Sequence, residues 1–321
     1  MLDLTISIGT LGRYEALECC LHSIYNEDAA HLSYEVWIVY NGPGNDGICE
    51  RIREEFPAAR IIEREGPLGF CAAHNLVLRQ ARSRYVLVLD DDTIIRRGTL
   101  SRMVEFMDGE PRVGIAGCKT FNLDGSFQPT FGVFPSLRSE IAGILRRESL
   151  MPRWLFRDIT SPQDVDWLNG SFMLVRAEVL EKVGGLDERY YTYICEEDWC
   201  YRIRLAGWRV MYFPGAEIVH IGGEHSINTS RTGAKTYSRI VHYHVNRFYF
   251  FWKHHGRLQS LALRLIIALQ SMTRILFFSA AYLVWPGFSA IAKTRVRAFW
   301  RVLRLCFSVE PHRLPSDLVP G

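Results

Sequence analysis

The feature that most constrains the fold of this 321-residue chain is an alternation of strand-like and helix-like segments over residues 1–92. The apolar runs LTISIGT, YEVWIVY, ARIIERE and RYVLVLDDD have the β-branched composition of strands. Between them lie the helix-like segments EALECCLHSIY, GICERIREEF and FCAAHNLVLRQAR. Strands separated by helices pair in parallel, with helices covering both faces of the sheet. We therefore predict an α/β, Rossmann-like fold with a mostly parallel sheet.

Two polar clusters follow strands of this predicted sheet. NGPGND comes after the second strand and DDDT after the fourth. Ligands of such sheets bind beyond the carboxyl ends of the strands. The sequence thus predicts a ligand site where these two clusters meet.

Three consecutive carboxylates, Asp90, Asp91 and Asp92, end the fourth strand. Like charges at the end of a buried strand repel one another unless a positive group holds them. Mg²⁺ or Mn²⁺ would take such oxygen ligands and neutralise a bound diphosphate. A solvated acidic turn or a helix cap remains the alternative.

A second acidic cluster, Glu196, Glu197 and Asp198, begins a predicted helix. The helix dipole alone would favour carboxylates at this position. A carboxylate beside a bound substrate would also act as a general base and remove the proton from an attacking hydroxyl group. These three residues are therefore our candidate catalytic residues.

The composition divides the chain into regions. We assign residues 1–113 to a ligand-binding half, 114–230 to an acceptor half of the same domain, and 231–321 to a basic helical region. That last region has fourteen Lys and Arg residues against Glu310 and Asp317, a net charge of +12 that leaves −9 for the rest. Such asymmetry points to an anionic partner, either a lipid surface or a nucleic acid.

The C-terminal region reads as two amphipathic helices separated by Trp285-Pro286-Gly287. Their arginines alternate with long apolar runs, which favours an anionic membrane surface over nucleic acid. Packing on the catalytic body, or an oligomer, remains the alternative. The charge-free run of residues 275–292 is interrupted by Pro-Gly, so we favour an interfacial helix over a membrane crossing, which needs about 20 apolar residues.

The eight cysteines form no C-x-x-C pair, and the N-terminus has no secretory leader pattern. Both features predict reduced thiols in a protein that faces the cytoplasm. We expect peripheral association with the inner face of the cell membrane.

The chain resembles glycosyltransferase family 2, whose members have the GT-A fold. The resemblance rests on GPLGFCAAHN, LVLDDDT, VDWLNGSF, CEEDWCYRIRLAGW and VHIGG, in this order. GSFQPTFGVFPSL and HYHVNRFYFFWKHHG resemble the rhamnosyltransferase-like branch, which extends lipid-linked surface polysaccharides.

The resemblance implies roles for individual residues. Asp90 and Asp92 match the D-x-D metal motif, with Asp92 as the direct ligand, and His220 completes the metal site or touches the diphosphate. Residues at the donor nucleotide sugar would be Thr10, Arg13, Asn41, Asp46, Gly69, Asn75, Asp90 and Asp91. The family's acidic motif aligns Glu196 with the catalytic base, and a shift of one residue would nominate Glu197. Asp198 would begin the helix or bind the acceptor.

Two departures from the family pattern are Tyr40, where an Asp is common, and Cys195 in the acidic motif. The resemblance implies an inverting, metal-dependent glycosyltransferase that uses a nucleotide-diphosphate sugar, with rhamnose favoured, and a lipid-linked saccharide acceptor. A non-catalytic membrane adaptor and a nucleotidyltransferase are the alternatives. The chain has no glycine- and lysine-rich phosphate loop near its first strand, which argues against the latter.

Overall fold

A computed structural model describes residues 1–27, 29, 31–42, 47–64, 66, 68–145, 159–222, 234–285 and 289–308. The predicted boundary at 230/231 and the Pro286-Gly287 break lie outside the described residues. Within this part of the chain the strands are β1 (Leu2–Thr10), β2 (Tyr34–Tyr40), β3 (Arg60–Glu63), β4 (Ser83–Asp90), β5 (Thr93–Ile95), β6 (Val113–Phe121), β7 (Phe127–Gln128), β8 (Phe131–Gly132), β9 (Gln163–Asp164), β10 (Trp167–Leu168), β11 (Phe172–Arg176) and β12 (Arg209–His220).

The helices alternate with these strands in the first half of the chain and dominate its end. They are α1 (Tyr14–Tyr25), α2 (Ile48–Glu55), α3 (Phe70–Leu78), α4 (Thr99–Gly109), α5 (Leu137–Leu145), α6 (Ala177–Val183), α7 (Cys195–Leu205), α8 (Ala234–His254), α9 (Gly256–Val284) and α10 (Ser289–Cys306).

One large sheet organises the molecule, with strand order β3-β2-β1-β4-β11-β6-β12-β5. The neighbours β3, β2, β1 and β4 are parallel, as are β6 and β12. Strand β11 lies antiparallel to both β4 and β6, so those two strands run in the same direction. The α/β prediction is confirmed, and the reversed β11 was not foreseen.

The sheet is covered on both faces because its central strands are apolar on both sides. In β4, Val86 and Val88 belong to one hydrophobic cluster, whereas Leu87 and Leu89 belong to another. The first cluster includes residues of α3, α6 and α7, and the second includes residues of α1, α2 and α4. Two fully buried layers of this size account for the stability of a single α/β body.

The C-terminal helices share the core of the sheet domain instead of forming a separate unit. Phe248 of α8, Ile267 of α9 and Val302 of α10 lie in the same cluster as Trp199 of α7. Helices α8, α9 and α10 also pack on one another. The C-terminal region is therefore one wall of the body.

Helix α9 has apolar residues on its buried side and on its exposed side. Ser260 and Ser271 are buried with apolar neighbours on the same helix, and Arg264 donates to the carbonyl oxygens of Cys306 and Ser308 at the end of α10. An apolar surface of α9 also faces outward, with exposed side chains at Leu258, Leu261, Leu265, Leu269, Met272, Leu276 and Phe277. The expectation that the arginines of this helix meet lipid is wrong for Arg264, because its guanidinium closes the adjacent helix end.

Candidate active site

The polar clusters of the first half meet at one edge of the sheet. Strands β1, β2 and β4 are parallel, and their register places Thr10 beside Tyr40 and Gly9 beside Asp90. Their carboxyl ends open into a cavity of about 1970 Å³. The position of the site is thus the one that the strand order dictates.

Asp90, Asp92 and His220 come together at this edge, although His220 is remote in the chain. The antiparallel pairing of β12 with β5 sets His220 opposite Thr93. The Nε2 atom of His220 lies 3.2 Å from Asp92 Oδ1 and 3.6 Å from Asp90 Oδ2. One ligand atom from each of the three residues falls within 4.8 Å of the others.

The charges of this triad are strongly coupled. Burial raises the pKa of Asp90 to about 7, and the charges of Asp92 and Asp91 add to the effect while His220 opposes it. Burial would also raise the pKa of Asp92, but the hydrogen bond and charge of His220, together with Arg13, outweigh it and lower that pKa. The pKa of His220 is raised because its carboxylate partners outweigh its burial.

Two carboxylates and an imidazole held this close fit a divalent cation. Mg²⁺ and Mn²⁺ favour oxygen ligands, and an imidazole is a common further ligand. Bonds of roughly 2.1 Å would let one ion reach all three donors after small adjustments of their side chains. The repulsion between the two carboxylates is what such an ion would relieve.

Gln128, which sequence reasoning did not single out, orients His220. It ends β7, which pairs with β6, and its Oε1 lies 3.1 Å from His220 Nδ1. Since an amide oxygen accepts, Nδ1 carries the proton, and Nε2 keeps its lone pair for a ligand when the ring is neutral. The sequence offered no signal for this contact, because a single Gln in a loop-rich segment has no diagnostic spacing.

Thr10, Arg13 and Asp91 form a network next to the triad. The Thr10 hydroxyl donates to Asp91 Oδ2 at 2.7 Å. Arg13 forms ion pairs with Asp91 and, at 2.8 Å, with Asp92 Oδ2. Asp91 therefore positions Arg13, whose side chain is more than half exposed and lines the cavity.

Asn41 and Gly69 line the same cavity and fix its shape. Asn41 donates to the carbonyl oxygen of Leu68 at 3.2 Å and accepts from its N–H at 3.3 Å. A Cβ at Gly69 would lie 2.6 Å from the carbonyl oxygen of Tyr191. The expected donor-binding residue Asp46 lies outside the described residues.

Asn75 lies away from the other predicted donor-binding residues, and its donor role stays a prediction. Its amide donates to Leu186 O and to Glu188 Oε1, both at 2.8 Å, and its Oδ1 accepts from the Leu186 N–H. Asn75 is buried and does not belong to the cavity wall that the structure describes. Its amide group instead stabilises the segment from Leu186 to Glu188.

The acidic start of α7 reaches the cavity through a strained turn. Tyr193 and Ile194 both have φ of 64°, a left-handed conformation that is uncommon for such residues. Glu197 lines the cavity, and burial raises its pKa to about 8, with a contribution from the charge of Glu196. Glu196 accepts a hydrogen bond from Cys195 Sγ at 3.0 Å.

Gly170 keeps space open beside Glu196. A Cβ at this position would lie 2.7 Å from the Phe70 ring and 3.2 Å from Glu196 Oε1. Neither contact leaves room for a side chain without movement of the site. The glycine of WLNGSF thus belongs to the neighbourhood of the acidic cluster.

Asp198 is a buried residue that anchors α7. Its carboxylate is fully buried and accepts from Arg202 at 2.8 Å and from Lys253 and His254 at 2.7 Å. These partners outweigh burial and lower the pKa of Asp198. Among the described residues, the side chain of Asp198 does not line the cavity and instead ties α7 to α8; its candidate catalytic role stays a prediction.

The fold and the site together define a glycosyltransferase with the GT-A fold. The chain belongs to glycosyl transferase family 2, whose family model matches residues 5–184, more than half of its length. It is similar to the N-acetylglucosaminyl-diphospho-decaprenol L-rhamnosyltransferase of Mycobacterium tuberculosis, at 27% identity over 71% of this chain and 78% of the relative. It is also 30% identical to the rhamnosyltransferase WbbL of Escherichia coli K12, over 48% of this chain and 61% of that protein. The predicted family and its rhamnosyltransferase-like branch are confirmed.

Two solved structures share the fold. The mannosyltransferase PcManGT from Pyrobaculum calidifontis, in complex with GDP-Man and Mn²⁺, superposes with a TM-score of 0.53 at 18% identity, covering 94% of this chain and 89% of that one. GalNAc-T7, solved with UDP, GalNAc and Mn²⁺, has a TM-score of 0.53 at 14% identity over 69% of this chain, which spans 44% of that protein. The GT-A fold is confirmed by these neighbours.

Proposed function

We propose that this chain is a metal-dependent, inverting glycosyltransferase that moves a sugar, with rhamnose favoured, from a nucleotide-diphosphate donor to a lipid-linked saccharide. The carrying observation is that Asp90 and His220 of the triad line one cavity together with Glu197 at the acidic start of α7. The Mycobacterium tuberculosis relative supports the acceptor class, since its name gives a diphospho-decaprenol acceptor and a rhamnosyl donor. Such acceptors belong to surface polysaccharide biosynthesis.

The donor diphosphate would lie beside the triad. Asp90, Asp92 and His220 would hold Mn²⁺ or Mg²⁺, which when bound supplies positive charge that stabilises the departing diphosphate. The two structural neighbours, each solved with Mn²⁺ and a nucleotide, support this placement. Thr10, Arg13 and Asn41 would contact the nucleotide from the ends of β1 and β2, and Asp46 stays a prediction.

Glu196 is our choice for the base that takes the proton of the acceptor hydroxyl. The family's acidic motif aligns it with the base, and it lies beside Gly170, where a Cβ would come within 3.2 Å of Glu196 Oε1. Glu197, whose pKa burial raises to about 8, holds its proton at neutral pH. Proton removal of this kind contributes roughly 10²–10⁴-fold to the rate. Attack from the side away from the diphosphate inverts the anomeric centre.

We place the protein on the cytoplasmic surface of the cell membrane, without a crossing. The outward face of α9 is apolar, and the outward face of α10 carries Lys293, Arg297 and Arg304. An apolar face next to cations suits the boundary between acyl chains and anionic headgroups. Among the described helices, α9 is also long and apolar enough to span a bilayer, although a third of its most apolar window is buried in the protein.

The test of this function is a transfer assay with the full chain. UDP-, GDP- and dTDP-sugars, including dTDP-rhamnose, would be offered with polyprenyl-diphosphate-linked N-acetylglucosamine and Mn²⁺ or EDTA. We expect metal-dependent transfer from one donor class and an inverted anomeric configuration by NMR. Transfer that persists undiminished in EDTA, or retention of configuration, would contradict the proposal. A folded protein that transfers nothing would favour the non-catalytic adaptor.

A further inference from the structure

The part of the cavity away from the strand ends is strongly cationic. Helices α8 and α9 form this wall, and Arg239, Arg247 and Arg274 line it together with His244. Helix α5 lies opposite and contributes Glu140. We call these four residues, Arg239, Arg247, Arg274 and His244, the arginine cluster.

The arginine cluster has more positive charge than its surroundings neutralise. Arg247 is buried and forms an ion pair with Glu140, and its guanidinium lies over the ring of Tyr243. Among the described residues, neither Arg239 nor Arg274 forms an ion pair with a carboxylate. Two arginines of the described cavity wall therefore have no carboxylate partner, and arginines of this kind suit the two negative charges of a diphosphate diester.

A buried polar atom in the arginine cluster also lacks a partner. His244 is 5% exposed, and its Nδ1 has no hydrogen-bond partner among the described residues. Burial lowers the pKa of His244 to about 3, and the charge of Arg274 adds to this effect. Because a buried polar atom without a partner costs free energy, this atom marks a place for a ligand oxygen or N–H group.

The acidic start of α7 lines the same cavity as the triad and the arginine cluster. Glu197 of α7 lines it together with Asp90 and His220 of the triad and with Arg239 and Arg274 of the arginine cluster. A donor at the triad and an anion at the arginine cluster would therefore share one cavity with the acidic start of α7. Sharing one cavity would let an acceptor present its hydroxyl to the donor sugar.

The arginine cluster also adjoins the apolar face of α9. Arg274, Gln270 and Thr273 of that helix line the cavity, while Leu269, Met272 and Leu276 are exposed on its outer side. A ligand whose anionic group met Arg274 would therefore have an apolar surface beside it for a hydrocarbon chain. Charge and apolar surface occur together at one helix.

We propose that the arginine cluster binds the diphosphate of a polyprenyl-diphosphate-linked acceptor, whose hydrocarbon tail follows the outer face of α9. This inference rests on the proposed lipid-linked acceptor and adds the residues that recognise it. The donor diphosphate and the acceptor diphosphate then occupy separate sites, one at the triad and one at the arginine cluster.

The test measures binding of farnesyl diphosphate to the full chain in EDTA, without a nucleotide sugar, so that no divalent ion occupies the triad. Arg239→Gln and Arg274→Gln should each weaken binding about 10-fold or more, because each removes a charge-assisted hydrogen bond. Arg112→Gln, which changes an exposed arginine just before β6, should stay within twofold. Thermal unfolding would check that each variant is folded.

Two further ligands show whether both the diphosphate and the hydrocarbon chain contribute to binding. Farnesol and inorganic pyrophosphate should each bind at least 10-fold more weakly than farnesyl diphosphate. Equal binding of farnesol, or unchanged affinity in both arginine variants, would overturn the inference. Equal binding of pyrophosphate would also overturn it, by making the arginine cluster a site for free phosphates.

One variant keeps this inference distinct from the proposed function. Asp92→Asn should retain farnesyl diphosphate binding in EDTA while it loses metal-dependent nucleotide binding. Asp92→Asn could instead lose farnesyl diphosphate binding while the arginine variants keep it. That result would place the lipid diphosphate at the triad and overturn this inference, but it would leave the proposed function standing. Failure of the sugar-transfer assay, with lipid binding intact, would count against the proposed function only.

Discussion

His220 Nε2 lies 3.2 Å from Asp92 Oδ1. This contact joins the end of β12 to the acidic segment that follows β4. The contact depends on β12 running beside both β6 and β5, so that its end returns to the edge where β4 ends. A site built from two such distant segments forms only in the complete fold. The arrangement explains why acidic residues at a strand end are tolerated here.

Gln128 should control the metal affinity of His220 without contacting the metal. Gln128→Leu removes the acceptor for the Nδ1 proton, so the ring loses its fixed tautomer and orientation. We expect Mn²⁺ affinity to fall about 10- to 100-fold by calorimetry, with Gln128→Glu retaining most of it. Unchanged affinity in Gln128→Leu would show that His220 is not a ligand or needs no partner.

Substitutions of the two glutamates at the start of α7 should have different effects on the rate of sugar transfer. Glu196→Gln should lower kcat by about 10²–10⁴-fold with KM for the donor little changed, because only proton removal is lost. Glu197→Gln, a neutral mimic of the protonated side chain, should retain activity within about tenfold. The reverse pattern would identify Glu197 as the base.

Asp198 should matter to stability and not to chemistry. Asp198→Asn leaves Arg202 and Lys253 without their buried counter-charge, which should cost about 3–5 kcal/mol in the free energy of unfolding by denaturant titration. Asp164→Asn, an exposed partner of Arg209, is the matched control and should cost less than about 1 kcal/mol. Equal effects of the two changes would contradict the anchoring role.

The same ion pairs predict a dependence on pH. The pKa of Asp198 is lower in the folded chain than its ordinary value of 3.8, so its contribution is complete above that value and is lost as pH falls through the folded pKa. The gap in stability between wild type and Asp198→Asn should therefore be full at pH 7 and shrink below about pH 4.

The outward face of α9 should carry membrane binding. Leu269→Glu combined with Leu276→Glu places two charges on that face, and we expect liposome flotation to fall at least about tenfold. Gln259→Glu, on an exposed polar position of the same helix, should have little effect. Flotation that survives the double change would move the membrane contact elsewhere.

The sequence predicted the sheet well because the periodicity of strands such as LTISIGT and RYVLVLDDD is a local property. It also predicted where Asp90 and Asp92 lie, since parallel strands end at one edge. Asn75 and Asp198 show the limit of that reasoning. Both occur in matched motifs, but their partners Leu186 and Lys253 come from other segments, and only the tertiary contacts reveal that their polar groups are already occupied.

The C-terminal helices show a second limit. Amphipathicity marks two sides of a helix but does not say which side faces the protein. In α10 the apolar side packs inward, as Phe299 and Val302 do, whereas α9 buries Ser260 and Ser271 among apolar residues and keeps a second apolar surface exposed. Which side of the helix faces the protein depends on the tertiary contacts of Arg264 and its neighbours.

The central claim is that Asp92 holds the metal that binds the donor, and a thermal-shift comparison tests it most directly. Wild type and Asp92→Asn would be titrated with nucleotide sugars in Mn²⁺ and in EDTA, with Asp124→Asn in an exposed turn as the matched control. We predict that one nucleotide class raises the Tm of wild type and Asp124→Asn in Mn²⁺ only, and leaves Asp92→Asn unshifted. An equal, metal-dependent shift in Asp92→Asn would contradict the account.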